Sequence, residues 1–119
     1  MTKGIIIGLI KFTDKSAFID DFASKVPLVI KKYGGAFILR QPKTHYSEGQ
    51  SFDLHVVSEF NDIEDAKRMM ESSEWKELNE HRRKNSDTSS GSFMLLEGGD
   101  ALAPFYVIKM LKHLHPQEA

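Results

Sequence analysis

The chain opens with an apolar run, Gly4-Ile5-Ile6-Ile7-Gly8-Leu9-Ile10, in which both alternating sets of positions are oily. Over residues 4–12, Ile5, Ile7 and Leu9 fall on one face of a strand and Ile6, Ile10 and Phe12 on the other. A strand patterned this way is covered on both sides. Helices of the same chain account for one side, so something else must lie across the second.

Thr13 or Asp14 is placed to cap a helix that runs to about Lys32. Phe18, Phe22, Val26, Val29 and Tyr33 recur at helical spacing and form its apolar stripe. Pro27 removes one backbone donor, which predicts a kink or division near Lys25. Gly34-Gly35 ends the helix, because glycine accepts the left-handed conformation of a C-terminal cap. That position also disposes of a phosphate-loop reading of Tyr33-Gly34-Gly35: the glycines follow a helix and present no helix N-terminus to an anion.

Ala36 to Gln41 is the second strand, and Pro42 to Gln50 is a polar, turn-rich surface loop. Phe52 to Phe60 is the third strand. Leu54, Val56, Ser58 and Phe60 share one face; Asp53, His55, Val57 and Glu59 share the other. Asn61 or Asp62 caps a second helix whose first turn carries Glu64 and Asp65. Ser72-Ser73 interrupts that helix, and Ser73 is placed to cap a further piece from Glu74 to about Lys84, with Trp75, Leu78 and Arg82 on one side. Asn85 to Gly91 reads as a loop and Ser92 to Glu97 as the fourth strand.

The order is βαββαβ. It predicts an α+β, ferredoxin-like fold: a four-stranded antiparallel sheet with its helices on one face. A tail follows. Ala101 to His115 is apolar around most of a helical circumference apart from Lys109, Lys112 and His113, so it is expected to be a helix buried against something. The chain thus divides into a domain over residues 1–99 and a C-terminal helical extension over residues 100–119.

Composition narrows the function classes. The 119 residues suit one domain, and 40% hydrophobic content supports a core. With 16 Lys plus Arg against 17 Asp plus Glu, the formal net charge of −1 offers no global attraction to nucleic acid or anionic lipid. The absence of cysteine removes disulfides, thiolate metal sites and cysteine nucleophiles, and fits a reducing compartment. The N-terminal apolar run is too short to span a bilayer, and no small-residue cleavage site follows it. A cytoplasmic protein with no membrane partner is expected. The five histidines, His45, His55, His81, His113 and His115, show no metal-ligand spacing, so no metal site is expected. The RNA-recognition module shares the βαββαβ order but needs aromatic and basic groups on its third strand. Asp53, His55 and Glu59 stand there instead, which argues against nucleic acid.

Several segments together resemble the DUF1330 family of small bacterial proteins, within the dimeric α/β-barrel superfamily. They are Thr13-Asp14, Val26-Pro27, Lys32-Tyr33-Gly34-Gly35, Glu48-Gly49, Glu59-Phe60, Ser73-Glu74-Trp75, Arg82-Arg83 and Leu95-Leu96-Glu97-Gly98. The resemblance spans residues 4–98. The chain departs from the family pattern at Asn61, where proline is usual after the third strand, and at Trp75, where tyrosine is common. The tail lies outside the pattern. The resemblance implies a subunit whose sheet packs on the sheet of a twin, in agreement with the two-sided first strand. It implies no settled activity and no cofactor. Better-known members of the superfamily include cofactor-free monooxygenases and small-molecule isomerases. It also draws Glu48 into consideration, since the loop before the third strand can reach the mouth of the space between the sheets.

The sharpest candidate chemistry is His55 with Glu59. Four residues apart on one strand, they lie about 13 Å apart, too far to bond each other but able to line one inter-sheet pocket. A histidine there can exchange protons near neutral pH, and a glutamate can orient a ligand. These two are the candidate catalytic residues; the competing explanation is a pair of polar interface groups with partners across a twofold. Arg40 joins them if the second strand has the matching register. Arg40 and Glu48 are candidate ligand-binding residues, as are Trp75 and Arg82, which with Arg83 could form an aromatic and cationic lip for an anion. Against that lip stands the ordinary role of Trp75 as an anchor of the helix, with the arginines paired to acids such as Glu74 and Glu80 or simply exposed. Two functions fit. One is a homodimeric small-molecule-binding protein that performs cofactor-free oxidation, isomerisation or acid/base chemistry. The other is a non-catalytic dimeric binding or interaction module.

Overall fold

The computed structural model describes residues 2–98. The expected extension over 100–119 lies outside the described residues. Four strands, β1 (Gly4–Ile10), β2 (Gly35–Arg40), β3 (Leu54–Phe60) and β4 (Ser92–Glu97), form one antiparallel sheet in the order β2-β3-β1-β4. The helices α1 (Lys15–Phe18), α2 (Val26–Lys32), α3 (Ile63–Glu71) and α4 (Ser73–Lys84) supply the second layer. This is the ferredoxin-like α+β arrangement.

Local chemistry explains the helix boundaries. Asp14 caps α1 by accepting from the Ala17 N–H at 3.0 Å. A π-helical turn, Ile19–Ala23, follows α1 where an unbroken helix was expected. It carries Phe22 into the core. Pro27 falls in the first turn of α2, where its missing N–H costs nothing, so it starts a helix and does not bend one. Gly34 takes φ +86°, closing α2 as its sequence position predicts. Asp62 caps α3 by accepting from Glu64 N–H. The cap of α4 is Ser72, whose Oγ accepts from Trp75 N–H at 3.2 Å, one residue earlier than the sequence reading placed it.

The core fills the space between the sheet and these helices. Ile6 and Ile10 from β1 and Phe60 from β3 meet Phe18, Phe22, Val26, Ile30, Ala66, Met69 and Trp75. Each fully buried side chain of this size contributes about 1.5–3 kcal/mol. An aromatic chain, Phe12 to Phe18 to Phe22 to Trp75 to Phe93, runs through it with ring centroids 5.0, 5.2, 6.0 and 5.6 Å apart. Gly35 belongs to this packing: a Cβ there would lie 2.5 Å from the Phe60 ring. Phe60 itself is wholly buried.

The other face of the sheet is left bare by the described residues. Ile5 pairs with Glu59 and Leu96, Ile7 with Val57 and Met94, and Leu9 with His55 and Ser92. Cross-strand partners share a face. Met94 is 36% exposed, and Leu96 and Leu39 are 44% exposed. The double apolar pattern of β1 therefore has one half packed in a core and the other half on an open surface.

Candidate functional site

The six candidate residues do not gather in one place. Arg40, Trp75 and Arg82 line a cavity on the helix side of the sheet. His55 and Glu48 line a groove on the opposite side. Glu59 stands at the far end of β3 from that groove.

Arg40 reaches the helix side because β2 is bulged. Phe37 pairs with Ser58, and the register shifts so that Leu39 pairs with Val57 and Arg40 with Val56. An unbroken alternation would have set Arg40 opposite His55. The bulge reverses the phase. Arg40 thus does not join His55 and Glu59; its guanidinium lies 4.9 Å from the Phe37 ring centroid instead. Gln41, next in the chain, takes φ 51°, a left-handed conformation that costs a non-glycine residue about 1–2 kcal/mol.

The cavity holds about 50 Å³. It lies toward the end of the sheet where β1 and β2 finish and β3 and β4 begin, as Ile10, Arg40, Leu54 and Phe93 in its wall record. Phe22, Val26, Ile30 and Trp75 close it from the helix layer. Its exposed wall residues are Arg40 and Gln41, which mark the mouth. Trp75 is 3% exposed and stacks on Phe93. It is both the anchor of α4 and part of the wall.

Arg82 is half-buried, with its guanidinium 4.3 Å from the Phe93 ring centroid and its Nε donating to Asn79 Oδ1 at 2.7 Å. Burial, with Arg83 nearby as the lesser cause, pushes its pKa below the ordinary arginine value. Glu74, one of the acids considered for the arginines, pairs with Lys32 at 2.7 Å and accepts from Tyr33 Oη at 3.2 Å. Among the described residues neither Arg40 nor Arg82 forms an ion pair.

On the bare face, His55 is half-buried and meets Phe52 edge-on at 6.2 Å. The loop between β2 and β3 folds over it, so that Leu9, Leu39, His45, Glu48 and His55 share a groove of about 530 Å³. Glu48 accepts a hydrogen bond from Tyr46 Oη. Glu59 is held by Lys3 at 2.7 Å. Among the described residues no three His, Asp or Glu side chains gather as metal ligands, and no helix is long and apolar enough to cross a membrane.

Sequence reasoning missed Gln41 and Ser58. Ser58 is 2% exposed and lines the cavity from the middle of β3. Its signal was present: a lone hydroxyl among Leu54, Val56 and Phe60 on the core-facing side.

Sheet order and one-sided helix layer define a ferredoxin-like fold. Residues 3–98 match the profile of DUF1330, a domain of unknown function, and the chain belongs to that family. No curated protein matches it. A solved protein of unknown function from Rhodopseudomonas palustris is similar in fold, with TM-score 0.65 at 11% identity over 82% of this chain and 83% of that one. A protein of the EthD (ethyl tert-butyl ether D) family from Bacillus halodurans gives 0.55 at 18% identity over 86% and 100%. A NIPSNAP family protein of unknown function from Agrobacterium tumefaciens gives 0.52 at 14% identity over 87% and 92%. At these identities the likeness is one of fold.

Proposed function

We propose that the protein is a homodimeric small-molecule-binding protein whose ligand enters the cavity between sheet and helices, with Arg40, Trp75 and Arg82 as binding residues. One observation carries the reading. The apolar cavity has two guanidinium groups in its wall, and neither has a carboxylate partner among the described residues. Convergent polar groups on an apolar hollow are what ligand sites are made of. The pairing of subunits is supported by the apolar stripe of Ile5, Ile7, Leu9, Val57, Met94 and Leu96, since exposed patches of this kind mark interaction surfaces. A second copy presents the same stripe and covers it by a twofold. A cysteine-free chain suits the reducing cytoplasm.

A second reading rests on the groove. Between paired sheets, His55 with Glu48 would line an inter-subunit pocket, and His55 with Glu59 would serve cofactor-free acid/base, oxidation or isomerisation chemistry. The third alternative is a dimeric interaction module without a ligand. Native mass spectrometry of the full chain separates them. A dimer carrying a co-purified small molecule, lost in Ser58→Leu but kept in His55→Ala, supports the cavity. Loss in His55→Ala alone supports the groove, and a dimer that takes up no molecule supports the module.

A further inference from the structure

The chemistry of the cavity wall narrows the ligand. Among the described residues no carboxylate lines it, and its polar side chains are Arg40, Gln41, Ser58, Trp75 and Arg82. Guanidinium and indole groups only donate, and the amide and hydroxyl can also donate. A ligand in contact with them must therefore bring acceptors. Two cations ask for negative charge as well. Arg82 has spent its Nε on Asn79, and its terminal nitrogens have no acceptor among the described residues. A carboxylate matches that pair of parallel donors, and it would offset the burial of a charge that has no counter-ion among the described residues.

Size sets the rest of the molecule. An apolar cavity of about 150 Å³ accommodates benzene. The about 50 Å³ available here is a third of that, room for about two or three carbon atoms. The inner wall is aromatic and aliphatic, which favours a hydrocarbon tail over a hydrated phosphate or sugar.

We propose that the cavity takes a short-chain aliphatic monocarboxylate, its tail among Phe22, Trp75 and Ser58 and its carboxylate on Arg82, with Arg40 at the mouth adding a second positive charge to the wall. This rests on the cavity being the binding site, so the test separates the two. Trp75 is the chain's single tryptophan, and its place in the wall makes its fluorescence a direct reporter of occupancy.

The full chain is titrated with butyrate, its neutral isostere butyramide, benzoate and inorganic phosphate, by fluorescence and calorimetry. Butyrate is expected to saturate and to bind about tenfold or more tightly than butyramide. Arg82→Gln should weaken butyrate by about tenfold and leave butyramide unchanged. Arg40→Gln, on the exposed rim, keeps the fold if the Arg82 variant does not, and should weaken butyrate by about threefold. Equal binding of butyrate and butyramide overturns the carboxylate assignment, as does phosphate binding as tight as butyrate. If butyrate and butyramide bind the wild type equally, or benzoate binds more tightly than butyrate, and that binding fails with Ser58→Leu, the cavity remains the site and only the ligand class falls. If no probe alters Trp75 fluorescence in the wild type, both readings fall.

Discussion

The two faces of the single sheet carry similar residues and have different fates. On the helix side, Ile6, Ile10 and Phe60 are 4%, 4% and 0% exposed and close on a chain of aromatic rings. On the other side, Ile5, Ile7 and Leu9 come from the same strand and stay half open. Side-chain chemistry does not separate them; coverage does. The helix side is a packed core that holds a small cavity, and the two arginines in its wall have no ion-pair partner among the described residues. The bare side is an unfinished core, rimmed by His55, Glu59 and the β2–β3 loop. The first arrangement invites a small guest, and the second invites a surface as large as itself.

Experiments can strain that contrast, beginning with the side that should break hardest. Phe60→Ala removes a wholly buried ring packed over Gly35 and should cost about 3–5 kcal/mol in urea unfolding. A loss under about 1 kcal/mol would mean that the helix side is not the folding core. Ile7→Lys on the bare side should behave oppositely. An isolated subunit would lose no more than about 0.5 kcal/mol, whereas an interface would have to bury an unpaired ammonium, so light scattering should report monomers. An unchanged mass for the variant would sink the proposed pairing of bare faces.

His55→Ala should cost about 1 kcal/mol through the lost edge contact with Phe52, with butyrate affinity unaltered. Loss of binding in that variant would transfer the site to the bare face. The smallest effect concerns the loop that ties α4 to the sheet. There Asp87 N–H donates to Lys11 O at 2.8 Å, and Ser86 Oγ donates to Arg82 O. The Ser89 and Ser90 hydroxyls, which donate to the Asp87 carboxylate together with their backbone N–H groups, lower its pKa from 3.8 to about 2. A depressed folded pKa means that the contribution is whole above pH 3.8 and disappears as pH falls through about 2. Amide protection at Ser89 and Ser90, taken relative to the intrinsic exchange rate at each pH, should fall over that window while Phe60 stays protected. Unchanged protection at the two serines down to about pH 2 would show that the carboxylate does not hold the loop.

Much of this molecule was legible one residue at a time. Alternation in β1 and β3, the Asp14 and Asp62 caps, the glycine that closes α2 and the break near Lys25 are local consequences of φ/ψ preference and side-chain period. The double oiliness of β1 also announced a second face in need of cover, because in the βαββαβ order both crossover helices pack on one side of the sheet. Placement of the site was less legible. Trp75 and Arg82 were found on one face of α4, yet nothing linked them to Arg40 or Ser58, which are distant in the chain and meet only through the sheet.

The sequence by itself determined which segments become strands and helices, which positions of β1 and β3 face in, and that the second side of β1 is oily too, since strand and helix periods are set by neighbouring residues. Only the tertiary structure decided on which side Arg40 stands. A one-residue bulge between Phe37 and Leu39 inverts the phase of β2 without leaving a glycine to betray it. The cavity likewise belongs to the tertiary structure alone, because a void is what facing elements fail to fill, and no single element encodes its neighbour's shortfall.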